Sequence, residues 1–301
     1  MIPDTHREPW YGKVMLFGEY SLLLGSKALV IPLKIYSGNW TNEKPVLESE
    51  KQLSYELHGY VSYLQQQQQL NQLLDIKSLN HDISAGWWFR SSIPLGYGAG
   101  SSGAVTAAIY ETYAYETATQ LAEIKSQLGL MESYFHGNSS GIDPLCCLLR
   151  RPVLIESEGK ISLPENVIPP SKFQVFLYDS LSTGKTGPLV AFFKAQMHTW
   201  SFYKKTSRQW LPAVDQAIES FLGAGNKSFA EALLQLSAFE LSALKPMIPN
   251  ALLPLWEQGL KNGVYTMKLC GSGGGGFSLI FTEEASRLPE FFNPARLIRL
   301  F

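Results

Sequence analysis

Short apolar runs alternate along the chain with longer stretches in which apolar residues recur every three or four positions. The first pattern predicts strands and the second predicts helices. Gly12 to Phe17 reads as a strand, Ser21 to Gly25 as a turn or helical start, and Ala28 to Pro32 as a second apolar run. Ile35 to Thr41 and Pro45 to Glu50 read as further strands of weak alternation. Gly59 to Leu74 has helical spacing, and its run of glutamines, Gln65 to Gln69, reads as a solvated helix face. Asp82 to Ile93 reads as a strand leading into a glycine-rich stretch. Ala104 to Gln120 predicts a helix, and Leu121 to Phe135 a second one broken at Gly129. His136 to Asp143 is a polar loop, Pro144 to Leu149 is apolar, and Val153 to Ile155 reads as a strand.

Pro164 to Pro170 is proline-rich and marks a domain boundary. Beyond it, Phe173 to Tyr178 reads as a strand. Helices are predicted at Pro188 to Trp200, Trp210 to Leu222, Ser228 to Leu244 and Leu252 to Asn262. Val264 to Leu269 and Phe277 to Thr282 then read as strands joined by the loop Cys270 to Gly276. Strands mixed with helices in both halves predict an α+β protein of two domains, residues 1–163 and 164–301.

Composition narrows the function classes. The 301 residues carry a formal net charge of −1, which gives no sign of a nucleic-acid or anionic-membrane partner. No uncharged apolar run approaches the roughly 20 residues of a spanning helix. Met1 to Trp10 holds Asp4, Arg7, Glu8 and two prolines, unlike a signal peptide. Cys146, Cys147 and Cys270 lack metal-ligand spacing and read as reduced thiols, which predicts a cytoplasmic protein.

The richest stretch chemically is Pro94-Leu95-Gly96-Tyr97-Gly98-Ala99-Gly100-Ser101-Ser102-Gly103, which runs into a predicted helix. Glycines allow backbone N–H groups to approach a ligand, and a helix N-terminus adds free N–H donors and a positive dipole end. The stretch is therefore either a capped turn or a phosphate seat. Lys13 lies inside an apolar strand, where a lysine is an edge residue or a partner for an anion. Glu132 and His136 are four apart and share a helix face. Two such ligands are too few to cage zinc but suit Mg²⁺, which keeps waters and takes substrate phosphates. Asp143 ends a polar turn, as a cap or as a base for a hydroxyl proton. Gly184-Lys185-Thr186 is not a P-loop, because residue 179 is Asp where that motif needs glycine. The loop Gly271 to Gly276 is either a flexible hairpin or a place where backbone passes close to a ligand. Tyr36, Trp40 and Trp87 are open between adenine stacking and core packing.

Taken in order, these stretches resemble the GHMP kinase superfamily of galactokinase, homoserine kinase, mevalonate kinase and phosphomevalonate kinase. Gly12 to Glu19 is similar to its first motif, Pro94 to Ser102 to its phosphate-binding motif, and Lys268 to Gly276 to its C-terminal glycine motif. His136-Gly137-x-x-Ser140-Gly141-x-Asp143 resembles the mevalonate kinase branch, as does Thr186 with Leu189-Val190. The resemblance implies a ribosomal protein S5 domain 2-like N-terminal domain, a ferredoxin-like C-terminal domain and ATP in the cleft between them. It implies transfer of phosphate from ATP to a small-molecule alcohol, nearest to mevalonate giving 5-phosphomevalonate.

The roles follow from the same resemblance. Asp143 would be the base and Lys13 the cation at the transferred phosphoryl group. Pro94, Gly96, Gly98, Ala99, Gly100, Ser101 and Ser102 would bind ATP. Ser102 and Glu132 would hold Mg²⁺. Glu19, Tyr20, His136, Ser140, Thr186, Gly273 and Gly274 would line the acceptor side. Tyr20 departs from the histidine usual in mevalonate kinases, and Gly103 from the usual alanine. Alternatives are another acceptor of the superfamily, phosphomevalonate or a sugar, and a non-catalytic nucleotide-binding regulator. A homodimer is a candidate assembly.

Overall fold

The fold comes from a computed structural model, which describes residues 8–116, 118–170, 172–184, 186–223 and 228–301. Five strands form one sheet: β1 (Trp10–Phe17), β2 (Ala28–Thr41), β3 (Trp88–Ser91), β4 (Val153–Ile155) and β5 (Ile161–Ser162). Their order is β1-β2-β4-β5, with β3 also on β2. β3 pairs antiparallel with β2, from Gly38 opposite Ser91 to Thr41 opposite Trp88. By its contacts the chain divides into two compact units. One comprises Met1–Lys13, Ile31–Pro94 and Ala99–Val153, the other Val14–Val30, Leu95–Gly98 and Leu154–Phe301.

The first unit is built on helices α1 (Glu48–Gln66), α2 (Gln68–Leu73), α3 (Ile76–Ser84), α4 (Ser101–Tyr113), α5 (Leu121–His136) and α6 (Ile142–Leu149). α4 is its centre. Ala104, Thr106, Ala107, Ala108, Ile109, Tyr110 and Tyr113 are all buried, so this helix is covered on most sides, as its apolar sequence requires. Trp40 is buried in the core, edge-on to Phe89 and Tyr113.

Four expectations are corrected here. Pro45 to Glu50 is not a strand: α1 begins at Glu48, and the Glu50 carboxylate accepts hydrogen bonds from the amides of Val46 (2.8 Å) and Leu47 (3.1 Å). An acid in a first turn that also satisfies preceding amides favours the helix over the weak strand pattern. The stretch from Asp82 is helical to Ser84, and only Trp88–Ser91 is extended, because Asp82 is needed inside α3 to accept from the Tyr113 hydroxyl. α4 stops at Tyr113, well short of Gln120, where Ala114 turns extended and bridges to Leu74. α5 runs unbroken through Gly129, where a side chain would meet Ser139 O at 3.0 Å and Gly141 N at 3.2 Å.

The second unit holds the antiparallel sheet β7-β8-β6-β9, made of β6 (Gln174–Asp179), β7 (Tyr265–Leu269), β8 (Phe277–Thr282) and β9 (Leu297–Arg299). β8 lies between β6 and β7 and is buried at all six positions, in keeping with its continuous Phe-Ser-Leu-Ile-Phe-Thr run. Its helices are α7 (Thr186–Met197), α8 (Trp200–Lys205), α9 (Leu211–Phe221), α10 (Phe229–Ala243) and α11 (Leu253–Asn262). Phe17, Phe221, Phe229 and Phe281 form an aromatic cluster, with Phe17 5.5–6.4 Å from the other three. Among the described residues no helix is long and apolar enough to cross a membrane. Cys146, Cys147 and Cys270 are buried.

Candidate active site

The glycine stretch folds as three left-handed steps, Gly96, Gly98 and Gly100, with φ of 74°, 69° and 84°, before α4 opens at Ser101. Gly100 is the N-cap of α4 and has no side chain to cap it. The first-turn amides of α4 are thus offered outward without a side-chain acceptor, together with the positive end of the dipole. Gly100 is also required sterically. A Cβ there would stand 2.7 Å from Lys13 Cγ, in a backbone region that side chains rarely adopt. The Lys13 amide donates to Ala99 O at 2.8 Å, so β1 and the end of the loop are tied together.

Lys13 is nearly fully buried, and its Nζ lies 2.6 Å from Asp143 Oδ2, while the Asp143 side chain keeps 32% of its surface exposed. Asp143 sits in the first turn of α6, behind the left-handed N-cap Gly141. The polar loop of the sequence therefore ends two residues earlier than its last acid. Gly103 explains its own presence. A Cβ at that position would be 3.1 Å from the backbone of Asp143 and Pro144, so a bare residue allows α6 to lie against α4.

Ser102, on the first turn of α4, donates to Glu132 Oε1 at 2.9 Å. With its proton committed there, Ser102 Oγ accepts from His136 Nε2 at 3.0 Å. Glu132 and His136 do share a face of α5, and both reach the same serine. Glu132 is 2% exposed. Burial raises its pKa, the Asp143 charge raises it further, and the hydroxyls of Ser139 and Ser102 pull it down. Burial lowers the pKa of His136. A buried carboxylate beside a hydroxyl, with a second carboxylate near, is an oxygen-rich set that fits Mg²⁺. Among the described residues no group of three or more His, Cys, Asp and Glu side chains could hold a metal ion by itself. Ser140 faces its own helix start, its Oγ 3.5 Å from the amide of Ile142.

In the second unit, Glu19 pairs with Lys268 at the head of the C-terminal glycine motif, and both side chains are sealed, 4% and 2% exposed. Lys268 Nζ also donates to Leu269 O at 2.8 Å, and the Leu269 amide donates to Glu240 Oε2 at 2.8 Å. Burial raises the Glu240 pKa to about 8, against the pull of Lys268. Tyr20 takes a positive φ of 57° and donates its hydroxyl to Ser272 O at 2.9 Å, with its ring 4.8 Å from that of Phe193. In the loop 271–276 the Gly274 amide donates to Met247 O at 2.5 Å, and Gly273 has a φ of 73°. Thr186 opens α7, but its side chain lies outside the described residues. Glu240 and Ser139 were not singled out from the sequence. The signal for Glu240 was a lone acid on the apolar stripe of α10, in line with Leu233, Leu236 and Leu244.

Residues 61–151 match the profile of the GHMP kinases N terminal domain. A mevalonate kinase of Archaeoglobus fulgidus is 28% identical over 278 residues, 88% of each chain. Among solved structures, the mevalonate kinase of L. major, in complex with R-mevalonate, superposes with a TM-score of 0.64 at 16% identity, over 99% of this chain and 95% of that one. The phosphomevalonate kinase of Streptococcus pneumoniae, in complex with phosphomevalonate and AMPPNP, does so with a TM-score of 0.65 at 14% identity, over 97% of each chain. Residues 61–151 thus match a GHMP kinase N-terminal domain, and over most of its length the chain is similar to a mevalonate kinase.

Proposed function

We propose that this protein is an ATP- and Mg²⁺-dependent kinase that phosphorylates the hydroxyl of mevalonate to give 5-phosphomevalonate. The observation that carries the reading is the Lys13–Asp143 pair, 2.6 Å apart with one carboxylate still open, in the same unit as the Ser102–Glu132 pair. Phosphoryl transfer needs positioning and charge neutralisation more than covalent chemistry, and an alcohol needs a proton acceptor as well. Asp143 takes the proton of the acceptor hydroxyl. The freed oxygen bonds to the γ-phosphorus of ATP, the bond from that phosphorus to the β-phosphate bridging oxygen breaks, and ADP leaves. The Lys13 ammonium stabilises negative charge on the transferred group. The amides between Gly96 and Ser102 bind the phosphates. Ser102 and Glu132 would hold Mg²⁺, which would supply charge neutralisation at the phosphates. In the second unit the order β7-β8-β6-β9 supports a ferredoxin-like domain. The archaeal relative's name supports mevalonate as the acceptor. A cytoplasmic location fits three reduced, buried cysteines.

One observation favours phosphomevalonate as acceptor. Tyr20 stands where mevalonate kinases usually carry histidine, and its hydroxyl is engaged by the glycine loop at Ser272. An assay of ADP release with mevalonate, phosphomevalonate and galactose, with and without Mg²⁺, separates the readings. Mg²⁺-dependent turnover of mevalonate is expected. Turnover of either other acceptor with none of mevalonate overturns the substrate, and ATP binding without turnover of any supports a regulator.

A further inference from the structure

Glu132 is held from two sides. Its Oε1 accepts from Ser102, and its Oε2 accepts from the hydroxyl of Ser139, a residue of the loop between α5 and α6. The same Ser139 oxygen accepts the amide of Gly141 at 3.0 Å, and Gly141 is the N-cap of α6, two residues before Asp143. The Ser139 amide donates back to Ser133 Oγ at 3.2 Å, and that hydroxyl donates to Gly129 O at 2.8 Å. The loop is therefore anchored on α5 one helical turn below Glu132, where Gly129 leaves room for it. One hydroxyl thus links the glutamate of α5 to the backbone that opens the helix carrying the base.

We infer that Ser139 is a positioning residue for this site. It commits Oε2 of Glu132, leaves Oε1 facing Ser102 as the oxygen for a divalent cation, and fixes the spacing between Glu132 and Asp143. This inference rests on the kinase reading above. A carboxylate that binds a cation through one oxygen gains from a donor that fixes the other, and losing such a donor typically weakens metal affinity by about 10–100-fold.

The test uses the full-length protein with Mn²⁺ as the probe cation, its binding followed by electron paramagnetic resonance in the presence of ADP. Ser139→Ala should weaken Mn²⁺ binding by about tenfold or more. ADP affinity without metal should stay unchanged, and Ser139→Thr, which keeps the hydroxyl, should restore most of the Mn²⁺ affinity. Ser139→Ala that binds Mn²⁺ like the wild type overturns the proposal, even if its thermal unfolding temperature falls, since that is a structural role only. Ser139→Thr as weak as Ser139→Ala also overturns it. Wild-type protein that takes up no Mn²⁺ with ADP overturns the kinase reading, and this inference with it.

Discussion

Among the described residues, two pairs join a buried lysine to a carboxylate and differ in character. Lys13 and Asp143 form one in the first unit, and Lys268 and Glu19 the other in the second. In the first, the carboxylate keeps 32% of its surface open, whereas in the second both partners are sealed at 4% and 2%. A sealed pair presents little open surface to a reacting group. The open pair keeps one face for a reacting group while its lysine is already in place. The sealed pair also has a second acid, Glu240, near the same ammonium. One cation cannot hold two ionised carboxylates in a dry site, and Glu240 is the one pushed toward its neutral form.

The comparison breaks most clearly through stability. Lys268→Met removes the buried cation beside the Glu19 carboxylate and should cost about 3–5 kcal/mol. Lys13→Met should cost about 1 kcal/mol or less, since Asp143 can be hydrated. Urea denaturation of both variants checks this, and equal losses would erase the distinction. The next effect is catalytic. Asp143→Asn should lower kcat by at least roughly a hundredfold, the scale of general-base loss, with ATP affinity retained. Near-normal turnover would remove Asp143 from the mechanism.

A pH-dependent effect concerns Glu240, whose folded pKa of about 8 lies above its ordinary 4.5. Between those values the folded protein holds a proton that the unfolded chain has released. The stabilising contribution is then complete below about pH 4.5 and lost as pH rises toward about 8, with a slope of at most about 1.4 kcal/mol per pH unit. Glu240→Gln keeps an oxygen for the Leu269 amide and should flatten that slope. Denaturation midpoints at several pH values from 5 to 8.5 read it directly, and a slope unchanged by the substitution would rule out Glu240 as its source.

Much of the chain was legible before folding was considered. β1, β6, β7, β8 and the helices α9, α10 and α11 fall within a residue or two of their predicted spans, because each carries an unbroken apolar run or a regular apolar stripe. The misread segments are those in which a remote partner overrides local pattern. α1 begins early because Glu50 satisfies two amides, and α4 ends early because Ala114 pairs with Leu74. Gly129 looked like a break and is instead the space into which the Ser139 loop fits.

Residue types and spacing alone determined that glycine-rich backbone would precede a helix, that Glu132 and His136 would share a face, and that Lys13 and Asp143 were the charged groups to explain. Those facts follow from local geometry, which depends on neighbours along the chain. Only the tertiary structure decided that Lys13 would meet Asp143, that Ser102 would stand between Glu132 and His136, and that Ser139 rather than Ser140 would turn to Glu132. Such pairings join residues up to 130 positions apart, and burial, which no local pattern specifies for a single polar residue, makes each buried charge or hydroxyl find a partner.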